Sequence, residues 1–220
     1  MQKQFDLIVW DWDGTLADST GMIAEALLNA AAQVGLPTLT SSEASSIIGL
    51  GLREAIHALY GDIPAAQAQA LATQYSNNYY AGESRIPLFA GAVDTIKTLN
   101  KRGFKLAVAT GKGRRGLNLA LQHCALTHYF HATRTVDECF SKPHPQMLHE
   151  LMEALVVLPE RTLMIGDTSY DLQMAKNAGV SAVGVTYGAQ KAEQWQHLEP
   201  LRQFADFASL SAWLLEGEDE

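Results

Sequence analysis

Charge and cysteine are scarce in this sequence, and each shortage excludes classes of protein. Only 18% of the 220 residues are charged while 47% are hydrophobic, so the chain can bury a large core and wholesale disorder is excluded. The two cysteines, Cys124 and Cys139, are too few to form a disulfide framework or a zinc site on their own. Acidic residues outnumber basic ones by 24 to 16, and the net charge of -8 argues against binding to the phosphate backbone of nucleic acid.

Long apolar runs are missing as well. The hydrophobic run at Phe5–Trp10 is interrupted by Asp6 and is far shorter than a segment that crosses a bilayer. Asp11 and Asp13 follow it directly, where a secretory signal would need small residues for cleavage. We therefore expect a soluble, cytoplasmic protein, monomeric or homodimeric, that binds neither membranes nor nucleic acid.

Apolar runs bounded by glycine or aspartate alternate with segments of helical periodicity. This alternation is typical of βαβ units and predicts an α/β fold with a parallel sheet. The predicted strands are Phe5–Trp10, Lys105–Ala109, Thr162–Ile165 and Ala182–Thr186. Between the first two, Ala92–Arg102 carries apolar residues on one face and predicts a helix that ends at Gly103.

The alternation stops between Ser19 and Phe89, where the sequence predicts helices without strands. Thr40 and Glu43 have the spacing of a capping box at a helix start. Further helices are predicted to begin near Arg53 and near Pro64. We interpret this stretch as a helical lobe inserted after the first strand.

Three predicted strands are followed by polar segments. These segments are Asp11–Thr15 (DWDGT), Thr110–Lys112 (TGK) and Gly166–Asp171 (GDTSYD). Because ligands of open parallel sheets bind beyond the carboxyl ends of the strands, we expect the three segments to meet at one edge of the sheet.

Four carboxylates would then lie close together. They belong to Asp11, Asp13, Asp167 and Asp171. Their mutual repulsion, made stronger by burial, requires a compensating cation. Oxygen ligands without His or Cys suit a hard cation, and Mg²⁺ is the usual choice where phosphate is handled. Lys142 is a candidate for a fixed positive charge beside them.

Four segments, taken together, resemble the motifs of a known superfamily. Asp11–Ser19 (DWDGTLADS) is similar to the first motif of the haloacid dehalogenase superfamily, in its phosphatase branch. Thr110 matches the hydroxyl residue of the second motif, Lys142 the lysine of the third, and Gly166–Asp171 the acidic fourth. All four occur in the order found in that superfamily.

The resemblance implies an architecture of two parts. Residues 1–18 and 90–220 would form a Rossmann-like catalytic core built on the parallel sheet. Residues 19–89 would form an inserted α-helical cap domain.

The resemblance also implies a catalytic role for several residues. Asp11 would attack phosphorus and form an aspartyl-phosphate, and Asp13 would act as the general acid and then as the general base. Thr110 and Lys142 would bind phosphoryl oxygens. Gly14 and Gly111 would leave the backbone free to donate hydrogen bonds to the substrate.

The acidic residues are implied to bind magnesium. Asp11, the backbone carbonyl of Asp13, and Asp167 would hold Mg²⁺, which screens the anionic nucleophile from the anionic substrate. Asp171 would support the water shell of the metal and position Lys142. An alternative is that Asp171 only supplies charge to the first turn of a helix.

Two basic residues are further candidates for substrate binding. Gly49–Arg53 (GLGLR) resembles the cap loop that reads the substrate in phosphoglycolate phosphatase-like members. Between Gln4 and Ile96 the sequence has no lysine, and its only arginines are Arg53 and Arg85, so Arg53 in this loop is a candidate ligand for an anionic leaving group. The alternative is a solvated arginine at a helix start. Lys112, just past the second motif, is expected near the site.

The resemblance thus implies a Mg²⁺-dependent phosphatase that hydrolyses a small phosphorylated metabolite, either phosphoglycolate-like or a sugar phosphate. A β-phosphoglucomutase-like phosphosugar mutase shares the motifs and stays open. So does a non-catalytic regulatory binding protein, although such a protein is expected to have lost a motif residue. Dehalogenases lack the acidic residue found here at Asp13, and the related phosphonate hydrolases use a cap lysine, which the predicted cap does not contain.

Overall fold

The computed structural model describes residues 4–83 and 86–216. The strands in these residues are β1 (Leu7–Trp10), β2 (Lys105–Thr110), β3 (Ala132–Thr135), β4 (Thr162–Gly166), β5 (Ser181–Val185) and β6 (Arg202–Phe204). They form one parallel sheet in the order β3-β2-β1-β4-β5-β6. The chain thus moves outward from β1 to β3 and returns to β4 on the other side of β1. The crevice of such a sheet lies at the carboxyl ends of β1 and its two neighbours.

Helices occupy both faces of the sheet and the segment between β1 and β2. The α-helices in the described residues are α1 (Thr20–Gln33), α2 (Ser41–Ser46), α3 (Leu52–Tyr60), α4 (Ala65–Gly82), α5 (Ala92–Lys101), α6 (Arg114–His123), α7 (Gln146–Leu155), α8 (Ser169–Asn177) and α9 (Phe207–Leu215). Among them, none combines the length and hydrophobicity that a membrane crossing requires.

The central strand β1 is buried on both faces, which explains its continuous apolar sequence. Successive side chains of a strand point to opposite faces. Leu7 and Val9 pack in the apolar cluster that includes α7 and α8. Ile8 and Trp10 pack in the cluster that includes α5, α6 and α9. The predicted α/β class with a parallel sheet is confirmed.

Helices α1–α4 share an apolar cluster of their own. Leu27 of α1, Ile56 of α3 and Leu71 of α4 are buried together in it. The predicted capping box begins α2, where Thr40 Oγ1 accepts a hydrogen bond from Glu43 N (3.2 Å) and Glu43 Oε2 accepts one from Thr40 N (2.7 Å). The helical character predicted for this stretch is confirmed. Its division from the rest of the chain as a cap of residues 19–89 stays a prediction.

Strands β3 and β6 were not predicted. They form the two edges of the sheet, and their sequences, ATRT and RQF, are polar and partly exposed. An edge strand covered on few sides needs no continuous apolar run, so its sequence carries a weak signal. The predicted strands differ from the structure by one or two residues at their ends.

Candidate active site

The polar segments that follow the three central strands meet at the carboxyl edge of the sheet. Parallel pairing aligns Trp10 of β1 with Val108 of β2 and with Ile165 of β4. Asp11 therefore follows β1 at the level where β2 and β4 end. Thr110 is the last residue of β2 and Asp167 is the first residue after β4. All of these positions are buried.

Three carboxylates gather around one lysine at this edge. Asp11, Asp167 and Asp171 each offer an oxygen that lies within 4.8 Å of the other two. Lys142 Nζ donates hydrogen bonds of 2.6 Å to Asp11 Oδ1 and of 2.6 Å to Asp171 Oδ1. All four side chains are fully buried. One ammonium cannot neutralise three carboxylates when all three are ionised, so the fully ionised group would carry surplus negative charge.

Burial and crowding shift the pKa values of these groups. Burial raises the pKa of Asp11 well above its ordinary value; Lys142 opposes this shift, while Asp171 and Asp167 increase it. Burial and the neighbouring Asp171 raise the pKa of Asp167 to about 7. Burial alone would lower the pKa of Lys142, but Asp11 and Asp171 raise it above its ordinary value. The lysine thus stays charged, and the carboxylates require a further cation to be ionised together.

The chemistry of the group fits a hard divalent cation. Asp11 Oδ2 is buried and has no hydrogen-bond partner among the described residues. A buried carboxylate oxygen without a partner is costly unless a cation or another donor satisfies it. The donors supplied by Asp11, Asp167 and Asp171 are all oxygen, which suits Mg²⁺ rather than a softer metal.

Local hydrogen bonds fix the orientation of two of these carboxylates. Asp167 Oδ1 accepts from Thr15 Oγ1 (3.1 Å), and Asp167 Oδ2 accepts from Ala189 N (2.6 Å). Asp171 Oδ2 accepts from Thr168 N (3.1 Å) and Thr168 Oγ1 (2.7 Å), which closes a capping box at the start of α8. Asp171 therefore caps its helix and holds Lys142 at the same time, so the two interpretations of this residue do not exclude each other.

The carboxylate of Asp13 is not one of these three and has contacts of its own. Asp13 Oδ1 accepts a hydrogen bond from Ser19 Oγ (2.8 Å) and forms an ion pair with Lys112 Nζ (3.2 Å). The predicted magnesium ligand at this position is its backbone carbonyl, which stays a prediction. The next residue, Gly14, has a φ of 87°, and a Cβ there would lie 2.2 Å from Asp167 Oδ2. Only glycine fits between the two aspartates.

Lys112 links the end of β2 to helix α4. Its Nζ donates to the hydroxyl of Tyr79 (2.5 Å) and lies 4.4 Å from the centre of the same ring. Its backbone N donates to Thr110 Oγ1 (3.1 Å). Beside it, a Cβ on Gly111 would lie 2.6 Å from the carbonyl oxygen of Leu50. The strand end and the helices therefore approach each other closely here.

A cavity of about 300 Å³ separates the strand ends from helices α1–α4. The predicted site residues that line it are Asp11, Asp13, Thr110, Gly111 and Lys112. The structure does not bring Arg53 into this cavity. Arg53 is exposed and lines a separate surface groove with His57 and Asp62. Leu52, the first residue of α3, lines the cavity, whereas Arg53, the second residue of α3, does not.

Several contacting residues were not predicted. The turn after β5 contributes Ala189 N to Asp167, and the same strand-end rule that identified the other segments could have found it. Tyr79 carried no such signal, because aromatic residues at helical spacing on α4 are typical of an apolar core.

Comparison with known proteins identifies the family. A family model described as haloacid dehalogenase-like hydrolase matches residues 8–185. The chain belongs to this family. A solved structure supports the same family. The crystal structure of a haloacid dehalogenase-like hydrolase from Bacteroides fragilis is 26% identical to this hydrolase and has a TM-score of 0.86, over 94% of this chain and 99% of that structure. The resemblance inferred from the four motifs is confirmed.

Two curated relatives of this hydrolase are named for phosphate chemistry. A phosphoglycolate phosphatase from Agrobacterium fabrum is 31% identical over 96% of this chain and 92% of its own length. The pyrophosphatase PpaX from Anoxybacillus flavithermus is 28% identical over 92% of this chain and 95% of its own length. Both similarities span nearly the whole hydrolase, including the stretch predicted as a cap.

Proposed function

We propose that this hydrolase is a Mg²⁺-dependent phosphatase that cleaves a small phosphate monoester through an aspartyl-phosphate on Asp11. The observation that carries the proposal is the asymmetric environment of the Asp11 carboxylate. Oδ1 is held by Lys142, while Oδ2 is buried without a hydrogen-bond partner among the described residues. The carboxylate is therefore fixed in place and keeps an oxygen available for a metal ion or a phosphorus atom.

Asp11 and Asp13 divide the bond changes between them. An oxygen of Asp11 attacks phosphorus, and the bond between phosphorus and the ester oxygen breaks. Asp13 gives its proton to the departing alkoxide and then takes a proton from water. The oxygen of that water attacks phosphorus, which releases inorganic phosphate and restores the Asp11 carboxylate. The separate surroundings of the two carboxylates, Lys142 for one and Ser19 with Lys112 for the other, support this division.

Asp11 and Asp167 would hold Mg²⁺, together with the backbone carbonyl of Asp13, and Asp171 would support its water shell. The ion would screen the negative nucleophile from the negative phosphoryl group. Thr15 and Ala189 fix Asp167 for this role through their hydrogen bonds to its two oxygens.

The remaining polar residues orient the phosphoryl group and the general acid. Lys142 and the hydroxyl of Thr110 would bind phosphoryl oxygens at the end of β2. Ser19 Oγ and Lys112 Nζ both contact Asp13 Oδ1, so they would keep the carboxyl directed at the ester oxygen. Residues 19–89 would act as a cap that excludes water from the transferring phosphoryl group.

The names of the relatives support a small phosphorylated metabolite as substrate, and the cavity of about 300 Å³ is at the small end of ligand sites.

The experiment is a phosphate-release assay with p-nitrophenyl phosphate and a panel of metabolite esters, run with Mg²⁺ and with a chelator. With Mg²⁺ we expect one inorganic phosphate to be released for each ester consumed, and with the chelator we expect no phosphate release. Isomerisation of a sugar phosphate without phosphate release would support a mutase instead, and failure on every ester would contradict catalysis.

A further inference from the structure

The wall of the cavity opposite the catalytic aspartates is mainly apolar, and its polar groups are the hydroxyls of Ser76 and of the tyrosines of α4. Helices α1 and α3 and the segment between α2 and α3 contribute the side chains of Ile23, Leu27, Ile47, Ile48, Leu50 and Leu52. Helix α4 adds the rings of Tyr75 and Tyr79. The part of a substrate that lies beyond the phosphoryl group would therefore contact hydrocarbon and aromatic surface.

Positive charge in the cavity is already paired. Among the lining residues within 4–83 and 86–216, Lys112 is the one cation, and the same lining includes three acidic residues, Asp11, Asp13 and Asp137. Lys112 Nζ forms an ion pair with Asp13 and donates to the hydroxyl of Tyr79. Asp137 is also engaged, since its carboxylate accepts from the backbone N of Arg114 at 2.9 Å. No described cation in the lining is left over for an acidic leaving group.

Three arginines of the described residues, Arg53, Arg114 and Arg115, lie outside the lining of the cavity. Arg53 is exposed and lines a different groove. Arg115 is exposed, with its guanidinium 5.0 Å from the ring centre of Tyr80. The side chain of Arg114 is paired with Glu138 and with Thr133. None of these three lines the cavity.

We propose that the leaving alcohol of the substrate is uncharged and largely apolar. This inference rests on the proposed function, because it concerns the group that departs from phosphorus. A carboxylate or a second phosphate on that group would be moved from water to a mainly apolar wall without an unpaired cation among the described lining residues, which is strongly unfavourable. An alkyl or aryl group would instead gain from burial against the same wall. The names of the two relatives imply anionic leaving groups, glycolate and phosphate, whereas the cavity of this hydrolase favours an uncharged one.

The test compares two esters of matched shape. Isobutyl phosphate and 2-phosphoglycolate differ mainly in replacing two methyl groups on a branch carbon by the two oxygens of a carboxylate. With Mg²⁺ present, we expect kcat/KM for isobutyl phosphate to exceed that for 2-phosphoglycolate at least tenfold. Equal values, or a preference for 2-phosphoglycolate, would overturn the inference and leave the phosphatase proposal intact. Failure to hydrolyse both esters and p-nitrophenyl phosphate would overturn the phosphatase proposal and the inference with it.

A variant that adds a cation to the cavity wall provides a second test of the preference for an uncharged leaving group. Leu50 lines the cavity, is partly buried, and lies in the turn before α3. Leu50→Lys is expected to lower the preference for isobutyl phosphate over 2-phosphoglycolate at least fivefold, whereas the control Leu50→Met, which stays apolar, keeps it. An unchanged preference in a folded Leu50→Lys would contradict the charge argument. If Leu50→Lys does not fold by circular dichroism, the comparison of the two esters on the unmodified protein decides alone.

Discussion

The two sides of the cavity differ in the forces that hold them. At the ends of the strands, buried carboxylates surround Lys142 and are oriented by ion pairs and hydrogen bonds. On the other side, helices α1–α4 pack through aliphatic and aromatic side chains. The first side can only be stable with its charges compensated, whereas the second depends on volume and shape. On the proposed function, the sheet edge determines the reaction and the helices determine which ester enters.

The largest expected effect is on activity at the sheet edge. Asp11→Asn keeps the shape of the side chain and an oxygen that can accept from Lys142, but it lacks a nucleophilic carboxylate. We expect phosphate release to fall by about three orders of magnitude or more while the fold is retained. Steady-state assays and circular dichroism measure the two quantities. Asp62→Asn, an exposed control in the turn before α4, should leave both unchanged; an active Asp11→Asn would remove Asp11 from the nucleophilic role.

The second effect is on stability at the same edge. Lys142→Met removes the ammonium that pairs with Asp11 and Asp171, which leaves buried carboxylates without their partner. The free energy of unfolding is expected to fall by about 3–5 kcal/mol, as for other broken buried ion pairs. Urea denaturation gives the value. Lys176→Met, at an exposed position of α8, should change it by less than about 0.5 kcal/mol. A Lys142→Met protein as stable as the control would show that these charges do not depend on the lysine.

The third effect concerns the cation that the acidic group requires. If magnesium binds the folded protein and not the unfolded chain, it stabilises the fold by about 2.7 kcal/mol when its concentration is a hundred times its dissociation constant. For a domain of this size we expect the melting temperature to rise by about 5–10 °C. The rise should be lost in Asp167→Asn and retained in Asp62→Asn. An equal rise in both variants would place the bound ion somewhere other than the acidic group.

The smallest effect lies at the contact between the two sides. Tyr79→Phe removes the hydroxyl that accepts from Lys112 and keeps the ring. Loss of one such hydrogen bond corresponds to about 0.5–1.5 kcal/mol, so kcat should fall by up to about tenfold. Tyr80→Phe on the next residue retains a ring under Arg115 and should keep full activity. If the two variants behave alike, the Lys112–Tyr79 bond does not help to position Asp13.

The sequence predicted the sheet edge better than the wall that faces it. Asp11 and Asp167 follow apolar strands directly, and strand ends of a parallel sheet must meet, so their proximity could be inferred without a structure. Tyr79 and Leu50 look like ordinary core residues of a helical lobe, because a side chain that faces a cavity and one that faces a core are both apolar.

Arg53 also shows that the sequence does not determine which side chains face the cavity, because this residue was expected to face the substrate and lies in a separate surface groove. The scarcity of positive charge before Ile96 suggested that this arginine serves the substrate, yet a charge count does not fix the side of a helix. The short edge strands β3 and β6 escaped prediction for a related reason, since partly exposed strands need no apolar run.

The most direct measurement is chemical trapping of the phosphorylated residue during turnover. The protein is mixed with Mg²⁺ and p-nitrophenyl phosphate, quenched in acid and treated with borohydride, which reduces an acyl phosphate of aspartate to homoserine. Peptide mass spectrometry should then find homoserine at position 11, dependent on substrate and absent from Asp11→Asn. Steady phosphate release without homoserine at position 11, or with homoserine at another aspartate, would contradict covalent catalysis by Asp11.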